Sequence, residues 1–258
     1  MKILVWDVET APNLAYVWGL WKQNISIGQM VDDGYMLCWA AKWLHSPEVM
    51  VGSLYYDGRE NMLRRLHALL DEADVVVAHN GDSFDTKIVQ AEFIDFGLDP
   101  TSKFKSVDTL KVARQNFRFP SNKLDYLVQR FNLGKKLEHE GFDLWVKCMA
   151  DLANSPGGKS KAWDKMIKYN IHDVKLEQRL YYKLRPWMKS HPNHGLFSDN
   201  GRPTCTNCGS IKVHKKGTGV ALAGIYQRYK CSTCGTPLRG RFTLLTTEHR
   251  KNILTQEK

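Results

Sequence analysis

Two carboxylates on the first predicted strand constrain the fold of this chain more than any other feature. Residues 2–8 (KILVWDV) form an apolar run that is typical of a short buried strand. Asp7 and Glu9 are two residues apart, so their side chains point the same way, about 6.8 Å apart along the strand. Two carboxylates on one face of an apolar strand resist burial unless another group compensates them. The alternative is that both are exposed at a strand end.

The pattern up to about residue 190 predicts an α/β fold. Three leading strands precede an alternation of helix and strand, and the remainder is mostly helical, which indicates a mixed sheet flanked by helices. We predict a long loop over residues 11–34. The predicted strands are 2–8, 35–44, 49–56, 75–78 and 105–107, and the first predicted helices are 61–70 and 84–96.

Further acidic side chains occur at two later points. Asp85 follows the predicted strand 75–78 through a Gly-containing turn, an arrangement that delivers polar side chains to the carboxyl edge of a sheet. Asp85 could instead be a helix-start carboxylate favoured by the helix dipole. Tyr169 and Asp173 have the i,i+4 spacing that places both on one face of a helix.

In this order, the three segments resemble the DEDD superfamily of 3′–5′ exonucleases, in its tyrosine-bearing (DEDDy) branch. The segments WDVET, HNGDSFD and YNIHD are similar to motifs in the proofreading domains of family B DNA polymerases. The resemblance covers about residues 1–190. The histidine-bearing branch would need His at position 168, which is Lys168. The resemblance implies a ribonuclease H-like fold.

The resemblance also implies a catalytic site with two Mg²⁺ or Mn²⁺ ions, cations that prefer oxygen ligands. Four carboxylates carry a charge of about −4, which two divalent ions would neutralise. Tyr169 would orient the attacking water. Thr10, Asn80 and Phe84 match positions that line the substrate site, although Phe84 could equally be a core residue. The implied metal ligands are Asp7, Glu9, Asp85 and Asp173.

A second metal site is predicted near the C-terminus. Two Cys-x-x-Cys-Gly segments, CTNCG and CSTCG, are separated by 22 residues from Cys208 to Cys231. Four thiolates suit one structural, tetrahedral Zn²⁺ and leave no open position for catalysis. The segment resembles the zinc ribbons of transposase-type DNA-binding proteins, and three histidines remain possible substitutes (His191, His194 and His214). The predicted zinc ligands are Cys205, Cys208, Cys231 and Cys234.

Charge is distributed unevenly along the chain. Residues 1–100 hold 7 basic and 15 acidic side chains (a balance of −8), whereas residues 101–258 hold 30 and 12 (a balance of +18). An acidic front half beside a basic back half suggests a metal-loaded site and a polyanion-binding surface. A solvated surface with a basic tail is the alternative. Residues 201–258 hold 11 basic and 2 acidic side chains, consistent with phosphate contact, although a structural or protein-docking ribbon remains possible.

These patterns predict an exonuclease domain (1–190), a linker (191–203), a Cys₄ zinc ribbon (204–245) and a fraying tail (246–258). No apolar run is long enough to cross a membrane. Asp7 and Glu9 lie where a signal peptide would be apolar, so we expect a cytoplasmic protein, or one in the host cytoplasm if a phage encodes it.

The expected function is a freestanding, metal-dependent 3′–5′ exonuclease acting on single-stranded DNA with a free 3′ end, in replication or repair. Replication or recombination proteins are possible partners. The alternatives are an RNA 3′-end trimming exoribonuclease and a non-enzymatic zinc-ribbon nucleic-acid-binding protein. Tyr16, Trp18, Trp21 and the basic stretch 103–136 could contact a single strand. For each aromatic side chain, however, we favour a place in the core.

Overall fold

The computed structural model describes residues 1–198 and 201–255. It contains two units, one spanning Lys2–Tyr181 and the other comprising Met1 with Tyr182–Lys258. The boundaries predicted from the sequence at residues 190, 203 and 245 stay a prediction.

The first unit is built on a five-stranded mixed sheet with the order β5-β4-β1-β6-β7. β1 pairs antiparallel with β4 and parallel with β6. The strand direction therefore reverses between β4 and β1. This confirms the predicted mixed α/β architecture. The strands are β1 (Ile3–Thr10), β2 (Leu14–Ala15), β3 (Met30–Asp32), β4 (Met36–Trp43), β5 (Met50–Ser53), β6 (Val75–Ala78) and β7 (Lys105–Asp108).

Helices pack on both faces of β1 because its side chains alternate between the two faces. Leu4, Trp6 and Val8 pack in one core cluster with residues of α1 and α2. Asp7 points the other way, where Asn170 of α6 reaches it. The helices are α1 (Leu54–Glu72), α2 (Asp85–Asp95), α3 (Thr109–Asn116), α4 (Leu124–Arg130), α5 (Asp143–Asn154) and α6 (Lys161–Leu184).

The predicted strand 49–56 is too long at its C-terminal end. β5 stops at Ser53, whose hydroxyl accepts a hydrogen bond from the backbone N–H of Tyr56 at 3.0 Å. This contact caps the first turn of α1, so residues 54–56 are helical despite their aromatic content. This first turn precedes Gly58, whose non-helical backbone (φ 74°, ψ 162°) kinks α1, so the long part of the helix begins close to the predicted start at residue 61.

The predicted loop 11–34 contains two short strands, β2 and β3, and a 3-10 helix over Ile27–Gln29. The expectation that its aromatic residues belong to the core is wrong. Tyr16, Trp18 and Trp21 are all exposed.

The second unit holds a three-stranded antiparallel sheet in the order β10-β9-β8. The predicted linker contains a 3-10 helix over His194–Phe197, while residues 199 and 200 lie outside the described residues. The tail was predicted to fray, but Thr247–Lys251 form a short helix, α7, and residues 256–258 lie outside the described part. The strands are β8 (Val213–Ala221), β9 (Gly224–Cys231) and β10 (Pro237–Thr243).

Across residues 1–198 and 201–255, none of the helices combines the length and apolar character that crossing a bilayer requires.

Candidate active site

The C-terminal half of β1 carries the first two site residues. Asp7 and Glu9 lie on the same face of the strand and both are half-buried. The pairing of β1 with β4 shifts register between Glu9 and Thr10, where the strand ends. The alternative interpretation, that both carboxylates are exposed at a strand end, does not hold, because both are partly removed from water.

The turn after β6 brings Asp85 to β1. Asn80 adopts a left-handed conformation (φ 73°), which Asn tolerates better than most residues. A Cβ on Gly81 would lie 2.5 Å from the Cβ of Ala78, so only glycine fits this tight exit from the strand. α2 then begins at Asp85, whose Oδ1 accepts the backbone N–H of Val8 at 3.1 Å. Asp85 is thus both a helix-start carboxylate and a direct neighbour of β1.

α6 supplies the last carboxylate of the cluster. Carboxylate oxygens of Asp7, Glu9 and Asp173 all lie within 4.8 Å of one another. Asn170, which the sequence analysis did not single out, donates from Nδ2 to Oδ2 of Asp7 at 2.7 Å. Asp85 lies outside this group of three. The structure therefore brings three of the four predicted metal ligands into one cluster. The fourth, Asp85, accepts a hydrogen bond from the backbone of Val8, which lies between Asp7 and Glu9.

Burial and mutual repulsion raise the pKa values of these carboxyls. The pKa of Asp7 lies well above its usual range because of burial, followed by the charges of Asp85, Glu9 and Asp173. Burial, with repulsion from Asp173, raises the pKa of Glu9 to about 8. Burial raises the pKa of Asp85 to about 6, although the N–H of Val8 opposes the shift. A cluster of this kind favours any cation that can approach it.

Lys136 is a site residue that the sequence analysis included only in a broad basic stretch. Its Nζ donates to Oδ2 of Asp173 at 2.5 Å and to the hydroxyl of Tyr169 at 2.8 Å. The ion pair holds the pKa of Lys136 above its usual range, although burial alone would lower it. The same ammonium group therefore contacts both predicted functional residues of α6, which confirms that Tyr169 and Asp173 share one helix face.

The loop before Lys136 explains how the lysine reaches α6. A Cβ on Gly134, which has φ 140°, would lie 2.8 Å from Cδ2 of Leu176 on α6. The close approach of the loop to the helix therefore requires glycine. The backbone N–H of Lys136 donates to Oδ1 of Asp125 at 3.1 Å, which fixes the loop to α4.

The donor set fits a hard divalent cation. All donors are carboxylate oxygens, the ligands that Mg²⁺ and Mn²⁺ prefer. Oδ1 of Asp173 is buried and has no hydrogen-bond partner among the described residues, which would be costly unless a cation or water satisfies it. The residues present are therefore suited to hold such an ion.

The three predicted substrate-contact residues lie at or just after the ends of two neighbouring parallel strands. Thr10 is the last residue of β1, and Asn80 and Phe84 lie in the turn that follows β6. Phe84 is 44% exposed, so it is not a core residue. A cavity of about 700 Å³ opens beside Asn80 and Lys136, and its other lining residues include Arg114 and Lys123.

The cysteines form a separate cluster in the second unit. Sulfur atoms of Cys205 and Cys234 are 3.6 Å apart, as are those of Cys208 and Cys231. Tetrahedral zinc with Zn–S bonds of about 2.3 Å places sulfurs about 3.8 Å apart, whereas a disulfide needs about 2.05 Å. The four thiols therefore have the spacing of a Cys₄ zinc site, and the histidines proposed as substitutes are not part of the cluster.

Comparisons with known proteins agree with this architecture. The chain is similar to the family B DNA polymerase from the hyperthermophilic archaeon Pyrobaculum calidifontis, with a TM-score of 0.50 and 15% sequence identity. The similarity covers 72% of this chain and 24% of the polymerase, so the chain spans about a quarter of that protein. At this identity the likeness concerns the fold alone. No curated protein matches the chain.

A family model described as RNase_H superfamily matches residues 53–185, which are 133 of the 258 residues. The matched segment begins after β1 and includes Asp85, Lys136, Tyr169 and Asp173. The chain belongs to the RNase H superfamily.

Proposed function

We propose that this chain is a divalent-metal-dependent 3′–5′ exonuclease that hydrolyses phosphodiester bonds at the 3′ ends of DNA, with single strands as its substrate. The observation that carries the proposal is the clustering of carboxylate oxygens from Asp7, Glu9 and Asp173 within 4.8 Å, in a chain of the RNase H superfamily. The direction of hydrolysis and the choice of DNA rest on the resemblance of the three motifs to proofreading domains of family B DNA polymerases.

Four carboxylates would hold two Mg²⁺ or Mn²⁺ ions. Bound there, the ions would supply positive charge for the phosphate oxygens and lower the pKa of water. Asn170 holds the Asp7 carboxylate in place through its hydrogen bond, and the backbone of Val8 does the same for Asp85. Lys136 donates to Asp173, so hydrogen bonds orient three of the four proposed ligands. The proposed set is Asp7, Glu9, Asp85 and Asp173.

Tyr169 would position the attacking water rather than remove a proton from it. Burial and the charge of Asp173 raise the pKa of Tyr169 to about 12, so its hydroxyl stays protonated near neutral pH. Lys136 donates to the phenol oxygen, and the hydroxyl in turn hydrogen-bonds to the Asp173 carboxylate. Tyr169 thus acts as a hydrogen-bond donor beside the carboxylate cluster, where it would donate to water or to a phosphate oxygen. Lys136 orients Tyr169 and also offsets the negative charge of Asp173.

The second unit would assist by binding nucleic acid. Its four cysteines have the geometry to hold one structural Zn²⁺, and a module of this size folds around its ion. The surplus of basic side chains after residue 200 suits a phosphate backbone.

The test uses 5′-labelled DNA and RNA oligonucleotides, each with and without Mn²⁺. We expect ladders that shorten stepwise from the 3′ end, appear only with Mg²⁺ or Mn²⁺ and stop on addition of EDTA. Cleavage of a closed circular single strand would contradict exonuclease action. Ladders from RNA alone would instead identify an RNA 3′-end trimming enzyme.

A further inference from the structure

An apolar arm leaves the sheet at the edge where the carboxylates lie. The arm, residues 14–32, belongs to the connection between β1 and β4, and β1 ends one residue after Glu9. Two hydrogen bonds close its base, from the N–H of Ala11 to the carbonyl of Tyr35 at 2.8 Å and from the N–H of Gly34 to Oδ1 of Asn13 at 2.7 Å. The arm therefore begins beside the candidate active site.

The arm has a defined conformation despite its irregular outline. β2 pairs with β3, and the N–H of Tyr16 donates to the carbonyl of Gln29 at 2.9 Å. The side-chain amide of Gln29 donates from Nε2 to the carbonyl of Tyr16 at 3.0 Å. These contacts hold the two sides of the arm together at its base. Trp18 and Trp21 lie beyond them, where Nε2 of Gln23 donates to the carbonyl of Trp21 at 2.9 Å.

The side chains that the arm presents are large, apolar and almost fully exposed, and two of them are tryptophans. Trp18 is 98% exposed and Trp21 is 83% exposed. Leu20 and Ile27 are exposed to a similar degree. Several large apolar side chains exposed in one short segment are typical of a binding site in soluble proteins.

The charge of the arm limits what can occupy it. Residues 14–32 contain one basic side chain, Lys22, and one acidic side chain, Asp32. An aromatic surface with no net charge is poorly suited to a phosphate backbone, but it can stack on unpaired bases, each of which has an apolar face. Because the arm adjoins the carboxylate cluster, a strand that places its 3′ end in the cluster has its unpaired bases near the arm.

We propose that Trp18 and Trp21 form a stacking platform for unpaired bases of the strand whose 3′ end occupies the candidate active site. The inference rests on the proposed function. Trp18 is nine positions after Glu9, so it lies within about 30 Å of that residue. At about 3.4 Å per stacked nucleotide, the bases in contact fall within about nine nucleotides of the 3′ end.

The test measures binding of a 5′-fluorescein 20-mer of oligodeoxythymidylate to the full chain without added Mg²⁺ or Mn²⁺, so that the strand is not consumed. Alanine substitution of stacking aromatics in other proteins indicates a loss of at least about fivefold in Kd for each tryptophan. We therefore expect Trp18→Ala and Trp21→Ala each to weaken binding by about fivefold or more. Ile94→Ala, which removes a 75% exposed apolar side chain near the C-terminal end of α2, serves as the control and should bind normally.

Two further measurements separate base stacking from other kinds of contact. Trp18→Phe should retain most of the affinity, whereas Trp18→Leu should lose it, because leucine is apolar but cannot stack. The dependence of log Kd on log salt should keep the same slope in the tryptophan variants, since no phosphate contact is removed.

The proposal would be overturned by wild-type affinity in the Trp18→Ala/Trp21→Ala double variant. It would also be overturned if that variant bound normally but changed from dimer to monomer in solution, because the arm would then be a contact between copies. Hydrolysis of thymidine 5′-(p-nitrophenyl phosphate) by the wild type with Mn²⁺ tests the proposed function separately. If that hydrolysis fails while binding still depends on the two tryptophans, the proposed exonuclease function is refuted and the arm remains a nucleic-acid contact.

Discussion

Replacing Glu9 by glutamine should stabilise the protein at alkaline pH in buffer without Mg²⁺ or Mn²⁺. The pKa of Glu9 rises from 4.5 to about 8, chiefly because of burial and then because of Asp173. Between these two values the folded state keeps a proton that the unfolded state releases. The free energy of unfolding therefore falls as pH rises through this window, and the full penalty is present above pH 8.

The rise in the pKa of Glu9 sets the size of the stability difference. At about 1.36 kcal/mol per pKa unit, the rise of the Glu9 pKa from 4.5 to about 8 corresponds to roughly 5 kcal/mol at pH 9. Glutamine has nearly the same shape and stays neutral, so Glu9→Gln should recover up to that amount at pH 9. At pH 4, where the glutamate is protonated in both states, the variant and the wild type should be equally stable.

Guanidinium unfolding followed by tryptophan fluorescence measures this difference. The eight tryptophans all lie at or before Trp187, and Trp6, Trp39 and Trp163 are fully buried in the first unit. Glu48→Gln, at an exposed glutamate, serves as the matched control and should change little at either pH. Added Mn²⁺ should stabilise the wild type more than Glu9→Gln. Equal stability of Glu9→Gln and wild type at pH 9, or the same gain at pH 4, would refute the reasoning.

Three further predictions concern neighbouring groups. Tyr169→Phe should lower turnover by about 10²-fold while retaining Mn²⁺ affinity, because one hydrogen-bond donor is lost; single-turnover rates and metal titration check this. Lys136→Met should destabilise the protein at pH 9 by about 1–3 kcal/mol, because it leaves the buried Asp173 carboxylate without its partner; the loss should shrink at pH 4, as unfolding curves would reveal. Cys231→Ser should release zinc and flatten the salt dependence of oligonucleotide binding, because the ribbon loses the ion that folds it; zinc content and Kd at several salt concentrations measure both.

Local patterns were sufficient to predict the framework of the site. The apolar run of β1 fixes the alternation that puts Asp7 and Glu9 on one face, and i,i+4 spacing places Tyr169 and Asp173 together on α6. These relations depend on the geometry of a single element, so they survive without knowledge of the tertiary structure.

Features that depend on contacts between elements could not be predicted from local sequence patterns. Lys136 reaches Asp173 only because its loop packs on α6, and nothing in the basic stretch distinguishes it from its neighbours. The start of α1 is set by the hydroxyl of Ser53, which overrides a strand-like composition. The exposure of Trp18 could not be read from a segment without periodicity, and the general tendency of tryptophan to be buried gave the wrong expectation.

The central claim is that the carboxylate cluster performs metal-dependent hydrolysis. The most direct measurement compares the initial rate at which a 5′-labelled DNA strand is shortened by the wild type and by Asp7→Asn at equal, saturating Mn²⁺. Asp95→Asn, at an exposed carboxylate on α2, is the matched control and should retain the wild-type rate. We predict a loss of at least about 10³-fold for Asp7→Asn, because the cluster loses a negative charge at its centre, with equal or greater stability in metal-free buffer. A rate for Asp7→Asn close to that of the wild type would contradict the account.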